Sequence, residues 1–467
     1  MKKLLLAILI LFTNQLYAQQ RDCSCSDALD KLIAKVELEY PGFADKTQPK
    51  AEYNSFLKNL KKEALLVDNR KCENVLKQYT AFFKDPHLWV GTKESSVNTP
   101  KSATKSSTAI NQAEFEKSIS KSKDSLEGVW STDGYRIGVK KVNENEYRGF
   151  IIEAQASVWK PGDLKFVANT DGQFEYIVMD KSVKKGHYVS FGQSILHFDE
   201  IGVTLVKQFP KSSMSELEIA QKLKELQGFY FRNITSKTAY LKLPSFEYAY
   251  VDEINKLIDE NSQALENTEN LIIDVRGNPG GTTDAFEKLL PYISGKSIRH
   301  TTAEFLATET YIQNLERYKN GLKTDSAKAN TDRNIRRLKE NLGKFVNYTA
   351  TGAPVYIQEI KTAVRSPKNV VVLANKASGS SAEYFLFIAK QSKKVKIMGI
   401  PSYGALDYGN AYLVDFGCPT YQVFMPTYRA MRLPEYPIDN IGIQPDMYID
   451  KSVKDWIGFA VDYLEKE

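Results

Sequence analysis

Three serines crowd the stretch Asn369–Glu383, NVVVLANKASGSSAE, directly after an apolar β-branched run (Val370, Val371, Val372, Leu373) and before a helix-compatible segment, Ala382 to Lys390. A hydroxyl on a sharp bend between strand and helix is placed to attack a carbonyl, because backbone N–H groups at the helix start lie beside it. A glycine-serine connection that only caps the helix is the plain alternative. A second segment, LIIDVRGNPGG (Leu271 to Gly281), also runs from a buried-strand pattern into a glycine-rich turn. Gly277, Gly280 and Gly281 permit backbone angles that other residues resist, so such a loop can turn N–H groups inward to hold an anion. The phosphate-loop pattern GxxxxGK[ST] and the dinucleotide pattern GxGxxG are both absent. Two strand-loop-helix units in one α/β domain suggest a nucleophile facing an oxyanion hole.

Between about Phe229 and Asp450 the chain resembles the C-terminal processing (tail-specific) serine peptidases. The loop Asp274-x-Arg276-x-Asn278-x-Gly280-Gly281 fits that family's glycine loop, with Arg276 and Asn278 in supporting positions. The serine turn fits as well, and counting back three residues from Glu383 makes Ser380 the nucleophile, with Ser378 and Ser381 as competitors. One branch of the family uses a Ser-Lys dyad. Its lysine position falls on Ala405, in Gly399-Ile-Pro-Ser-Tyr-Gly404-Ala405, and an alanine takes no proton. Lys376, Lys390, Lys393, Lys394 and Lys396 read as solvated positions. The branch similar to the tricorn core protease uses Ser, His and an acid instead. Of the four histidines, His187 and His197 lie in a β-rich segment and His300 opens a charged one, whereas His87 lies in the turn FFKDPHLWVG. An imidazole titrates near neutral pH, so His87 is the expected general base. The expected acid is Asp439 in EYPIDNIGIQPDMYID, with Asp446 as its competitor.

The resemblance then implies that Ser380 attacks a peptide carbonyl, His87 relays the proton, and Asp439 fixes the histidine tautomer. Backbone N–H groups of Gly280 or Gly281, and of Ser381, would hold the oxyanion, while Glu383 anchors the serine helix. No metal or organic cofactor is implied, and the partner is a peptide or protein substrate. Two alternatives stay open. Interphotoreceptor retinoid-binding protein also resembles this family, so a non-catalytic binding protein is one; an esterase-type acyl hydrolase is the other.

These residues need a scaffold. The expected fold class is an α/β core, a mixed sheet with flanking helices of the ClpP/crotonase-like kind, with a helical bundle before it and a β-barrel-like domain between. Residues 1–18 read as a secretory signal: Lys2 and Lys3, an apolar run from Leu4 to Phe12, then Ala18. Export, to a periplasmic or extracellular space, and no stable membrane insertion follow. Residues 19–100 read as the bundle carrying His87, with Leu29, Leu32, Ile33 and Val36 at helix spacing. Cys72 is expected to pair with Cys23 or Cys25, leaving Cys418 free or paired with the other. Residues 101–125 read as a Ser/Lys-rich linker, with a short helix around Glu114 to Ser120. Short β-prone runs over 126–210 suggest an antiparallel barrel or sandwich. Residues 211–467 are the expected peptidase core, interrupted by a charged helical hairpin at 299–344, with Ala411 to Met425 supplying further strands. The formal charge of +6, from 63 basic and 57 acidic residues without a basic stripe, argues against nucleic-acid binding.

Overall fold

The computed structural model describes residues 23–466, apart from 69–70, 94–111, 133, 157, 180, 199–200, 212, 350–351, 362–364 and 451. The expected export signal and the first part of the expected linker lie outside the described residues. The chain forms two compact units.

The smaller unit comprises residues up to Phe83 with Leu88–Ser95 and Ala411–Thr427. Its helix Cys25–Glu39 starts where the Ser24 side chain accepts from the Asp27 N–H, and it buries Leu29, Leu32, Ile33 and Val36 along one face. A disulfide ties Cys25 to Cys72 at the start of helix Cys72–Ala81, with a Cα–Cα distance of 5.2 Å. Of the two partners left open for Cys72, it takes Cys25. A three-stranded antiparallel sheet completes the unit, with Tyr421–Met425 between Trp89–Thr92 and Tyr412–Val414. The strands expected within Ala411 to Met425 therefore do not extend the α/β sheet. They pair with a strand far away in sequence, which local pattern cannot reveal.

The larger unit comprises Lys84–His87, Ser96–Asn410 and Tyr428–Glu467. His87 therefore groups with the α/β core and not with the helical bundle. Eight strands from Gly128–Thr132 to Val203–Phe209 form a closed antiparallel barrel in which the first strand pairs with the last. Its core holds Trp130, Phe166, Phe198 and Leu205 among others. Gly149 lets the chain approach closely there, since a Cβ on it would overlap the Phe166 ring.

The central sheet has six strands in the order Tyr230–Asn233, Thr238–Lys242, Asn270–Asp274, Asn369–Ala374, Val395–Gly399 and Met447–Tyr448, parallel except at the first pair. The two middle strands are apolar along most of their length because both faces are covered. One face packs on a cluster including Ile254, Phe286 and Phe385, and the other on one including Ala460 and Leu464. The expected helical insertion opens with two strands, Ser297–Thr301 and Ala303–Leu306, before helices Glu309–Asn320 and Asp325–Lys339. His300 thus lies on a strand that pairs with Val355–Glu359.

Asp274 lies opposite Leu373 in the parallel register. The loops that leave these neighbouring strands therefore emerge side by side at their carboxyl ends, where open α/β sheets place their sites.

Candidate active site

Ser380 stands at the start of helix Ser381–Ala389 with φ 52° and ψ −119°. That region is strained for any residue but glycine, and strain of this kind persists only where surrounding contacts enforce it. The contacts here come from the glycine loop. The Gly379 N–H donates to the Asn278 carbonyl at 2.9 Å. A Cβ on Gly280 would lie 2.7 Å from both the Gly379 oxygen and the Ser380 Cβ, and 2.8 Å from the Ser381 nitrogen. The two motifs found in the sequence are in van der Waals contact.

The loop also sorts its own N–H groups. Gly280 donates its N–H to Asn278 Oδ1 at 2.9 Å, while Asn278 Nδ2 donates to the Leu243 carbonyl at 2.9 Å. Gly280 is thus committed, and the open expectation of Gly280 or Gly281 narrows to Gly281. Residue 281 has φ 141°, and a Cβ there would overlap the Phe246 carbonyl, so only glycine fits. Among the described residues the Gly281 N–H has no partner. The Ser381 N–H, first in its helix, has none within it either. Arg276 sits lower, in a bidentate pair with fully buried Asp274, which also accepts from the Tyr240 hydroxyl. Its role is to hold the strand end.

Glu383 is fully buried. It accepts from the Ser380 N–H at 3.0 Å, the Gly404 N–H at 2.6 Å, the Ala405 N–H at 2.7 Å and the Ser402 hydroxyl at 2.5 Å. Four donors meet a carboxylate's capacity, so it braces the bend. Ser402 then accepts from the Ile443 N–H. No single-residue signal in the sequence marked Ser402.

The loop that begins at Gly404 continues to the expected acid, Asp439. Asp439 Oδ1 accepts the N–H groups of Leu406 and Asp407, both at 2.8 Å. Asp439 Oδ2 is buried without a hydrogen-bond partner among the described residues. Asp407 is held by Arg432 Nη1 at 2.5 Å and by the N–H groups of Ile438 and Asp439. Burial, then the charges of Asp85 and Asp407, push the Asp439 carboxyl up to about 8. The competing acid, Asp446, is engaged elsewhere by Lys390 and the Ile397 N–H.

Asp85 makes the link to His87. Its Oδ1 accepts the His87 N–H at 2.8 Å, closing the turn that Asp-Pro-His initiates. The Asn440 side chain donates to the Lys84 carbonyl at 2.6 Å, tying this turn to the segment that carries Asp439. A continuous chain of contacts thus runs from Ser380 through Glu383, Gly404 and Asp439 to the His87 turn. Among the described residues no direct hydrogen bond joins Ser380 to His87; catalytic bonds are often long without substrate. His197 bonds Thr204 inside the barrel, and both ring nitrogens of His300 are occupied, by Tyr384 and Gln358. Lys376 donates to the carbonyls of Ser402 and Tyr403, Lys390 to Asp446, and Lys394 to Ser366 and Pro367.

A strained serine between a glycine loop and a helix start defines a serine hydrolase site. Residues 237–449 match the sequence model of peptidase family S41, and this part of the chain is a serine peptidase domain of that family. In fold the chain is similar to mature CPAF complexed with lactacystin (14% identity, TM-score 0.51, covering 95% of this chain and 97% of that one). It is also similar to a point mutant of CPAF (13% identity, TM-score 0.50, covering 95% and 96%). No curated protein matches the chain in sequence.

Proposed function

We propose that this chain is an exported serine peptidase of the tricorn-like branch, with Ser380 as nucleophile, His87 as general base and Asp439 as the acid that orients it. The observation that carries the reading is the Ser380 elbow, strained and braced by Glu383 against Gly280. The Ser380 hydroxyl attacks a peptide carbonyl and His87 takes its proton, then returns it to the leaving amine. The Gly281 and Ser381 N–H groups receive the developing oxyanion. Export is supported by the 1–18 pattern and by the Cys25–Cys72 disulfide. No helix among the described residues is long and apolar enough to cross a membrane.

Labelling with a fluorophosphonate serine-hydrolase probe tests the assignment. Loss of labelling in both Ser380→Ala and His87→Ala is expected. Labelling retained by His87→Ala would transfer the base to another residue, and a folded wild type that never labels would favour the binding-protein reading. Parallel amide and ester substrates then separate peptidase from esterase.

A further inference from the structure

One end of the barrel carries a group that the peptidase reading leaves unused. Lys165 is only 2% exposed. Its ammonium is boxed by three rings, 3.9 Å from the centroid of Trp159, 4.6 Å from Tyr135 and 4.9 Å from Tyr176. These residues converge from the start of Tyr135–Asn143, the segment before Leu164–Asn169, and the end of Gln173–Ile177. A bulge between Gly149 and Phe150 opposite Leu164 and Phe166 makes Lys165 the extra residue of its strand, so it escapes the usual alternation. Among the described residues Lys165 has neither a carboxylate within ion-pair reach nor a hydrogen-bond acceptor.

A buried ammonium is seldom left without a counter-charge. Aromatic faces offset part of the lost hydration, but they supply no acceptor. Trp159 adds an independent observation: it is 5% exposed, and among the described residues its buried indole Nε1 has no partner. A second cation, Lys181, stands over the same indole ring, with Asp163 3.7 Å away. Among the described residues, three donors therefore meet around one aromatic group with a single, loosely placed acceptor.

We propose that this end of the barrel binds a small carboxylate carried on an apolar body, with Lys165 and the Trp159 indole N–H as its donors. Lys181, partly exposed above the ring, would pair with the ligand's charge at the rim. Apolar side chains of the barrel core, Phe166 and Tyr176 among them, would take the ligand's body. Burial, then the nearby Lys181, lowers the Lys165 pKa to about 8, so at neutral pH most of the lysine still carries the charge such a ligand needs.

Calorimetric titration of the full chain with octanoate, 1-octanol and inorganic phosphate tests the site. Saturable binding of octanoate is expected, with none of octanol or phosphate. Lys165→Met should abolish it, Trp159→Phe should weaken it several-fold while keeping the ring, and Lys181→Met, at the rim, should weaken it without threatening the fold. Ser380→Ala should leave it unchanged, which separates this site from acyl binding at the nucleophile. Absence of saturable octanoate binding, equal binding of octanol, preference for phosphate, or affinity undiminished in both Lys165→Met and Trp159→Phe would overturn the proposal. In that case the aromatic box would serve only to hold Lys165.

Discussion

Asp439→Asn should stabilise the protein increasingly as pH rises while disabling it as a catalyst. The new amide oxygen can accept the same two N–H groups from Leu406 and Asp407. The new amide nitrogen would take the place of Oδ2, which is buried without a hydrogen bond among the described residues and repelled by Asp85. The sign follows from the direction of the shift. The folded carboxyl titrates near 8 and its ordinary value is 3.8, so between these the folded state holds a proton that the unfolded chain has lost. The wild type is therefore penalised as pH rises through this window, by about 1.4 kcal/mol per unit. From pH 6 to pH 7.5 the penalty grows by roughly 2 kcal/mol, and the Asp439→Asn variant is free of it. Urea unfolding of both proteins at the two pH values, with equal slopes, measures the difference directly. Parallel pH profiles would refute the reasoning, because Asp439 would then be ionised in the folded protein throughout. The same carboxylate must ionise to hold a histidine cation, so kcat/KM of the wild type should climb as pH rises toward 8. Asp85→Asn, which removes one repelling charge, should move that acid limb to lower pH.

Other consequences are open to measurement. Ser380→Gly should abolish activity yet stabilise the protein by about 1 kcal/mol in thermal or chemical unfolding, since glycine relieves the positive-φ strain at some cost in chain entropy. Ser380→Ala keeps that strain and should leave stability nearly unchanged. Gly281→Ala should destabilise by at least about 2 kcal/mol and remove fluorophosphonate labelling, because the new Cβ meets the Phe246 carbonyl. Cys25→Ser opens a crosslink with a sequence separation of 47, which corresponds to about 4 kcal/mol in the chain-entropy account. Burial, then the neighbouring Cys418, push the Cys23 thiol up to about 11, and that thiol approaches the Gly417 carbonyl at 3.9 Å. Treatment with a disulfide oxidant such as oxidised glutathione should therefore leave no titratable thiol; two thiols persisting after it would contradict that contact.

The parts of this molecule legible in the sequence are those encoded over short distances. The runs VVVLA and LIIDV announce buried strands because each is apolar on both faces. The glycine loop and serine turn then follow directly from strands that pair in parallel register. The barrel is legible from its regular short β-prone runs. What escapes depends on partners distant in sequence. Tyr421–Met425 carries the same strand propensity whichever sheet it joins, and only Trp89–Thr92 decides the matter. His300 sits beside helix-prone charged residues, but its strand is fixed by Tyr356 across the pair. Ser402 looks like any serine after proline until Glu383 lies within 2.5 Å of it. The lysine of the barrel is hidden by a bulge that shifts the inside-outside alternation. Gly280 is indistinguishable from Gly281 as a donor, because the Asn278 side chain that occupies its N–H acts through three-dimensional contact.

In the proposed triad, Ala405 is the reason a distant base is needed. Its methyl is buried, and its N–H serves Glu383. A proton acceptor must therefore reach the serine from another segment, and that segment needs its own anchor. The loop Gly404–Asp407 meets both needs at once: Gly404 and Ala405 grip Glu383 beneath Ser380, while Leu406 and Asp407 grip Asp439. Gly404 is the pivot, with φ 85° and the Asn440 nitrogen only 2.6 Å from where a Cβ would stand. Gly404→Ala touches neither nucleophile nor base, yet it displaces the two supports relative to each other. Misplacement of reacting groups by about 1 Å costs on the order of 100-fold in rate. Fluorophosphonate labelling of Ser380 in Gly404→Ala should slow by about that factor while far-UV circular dichroism stays native. A labelling rate equal to the wild type would mean that Ser380 and the Asp439 segment are held independently, and the single-loop account of this site would fall.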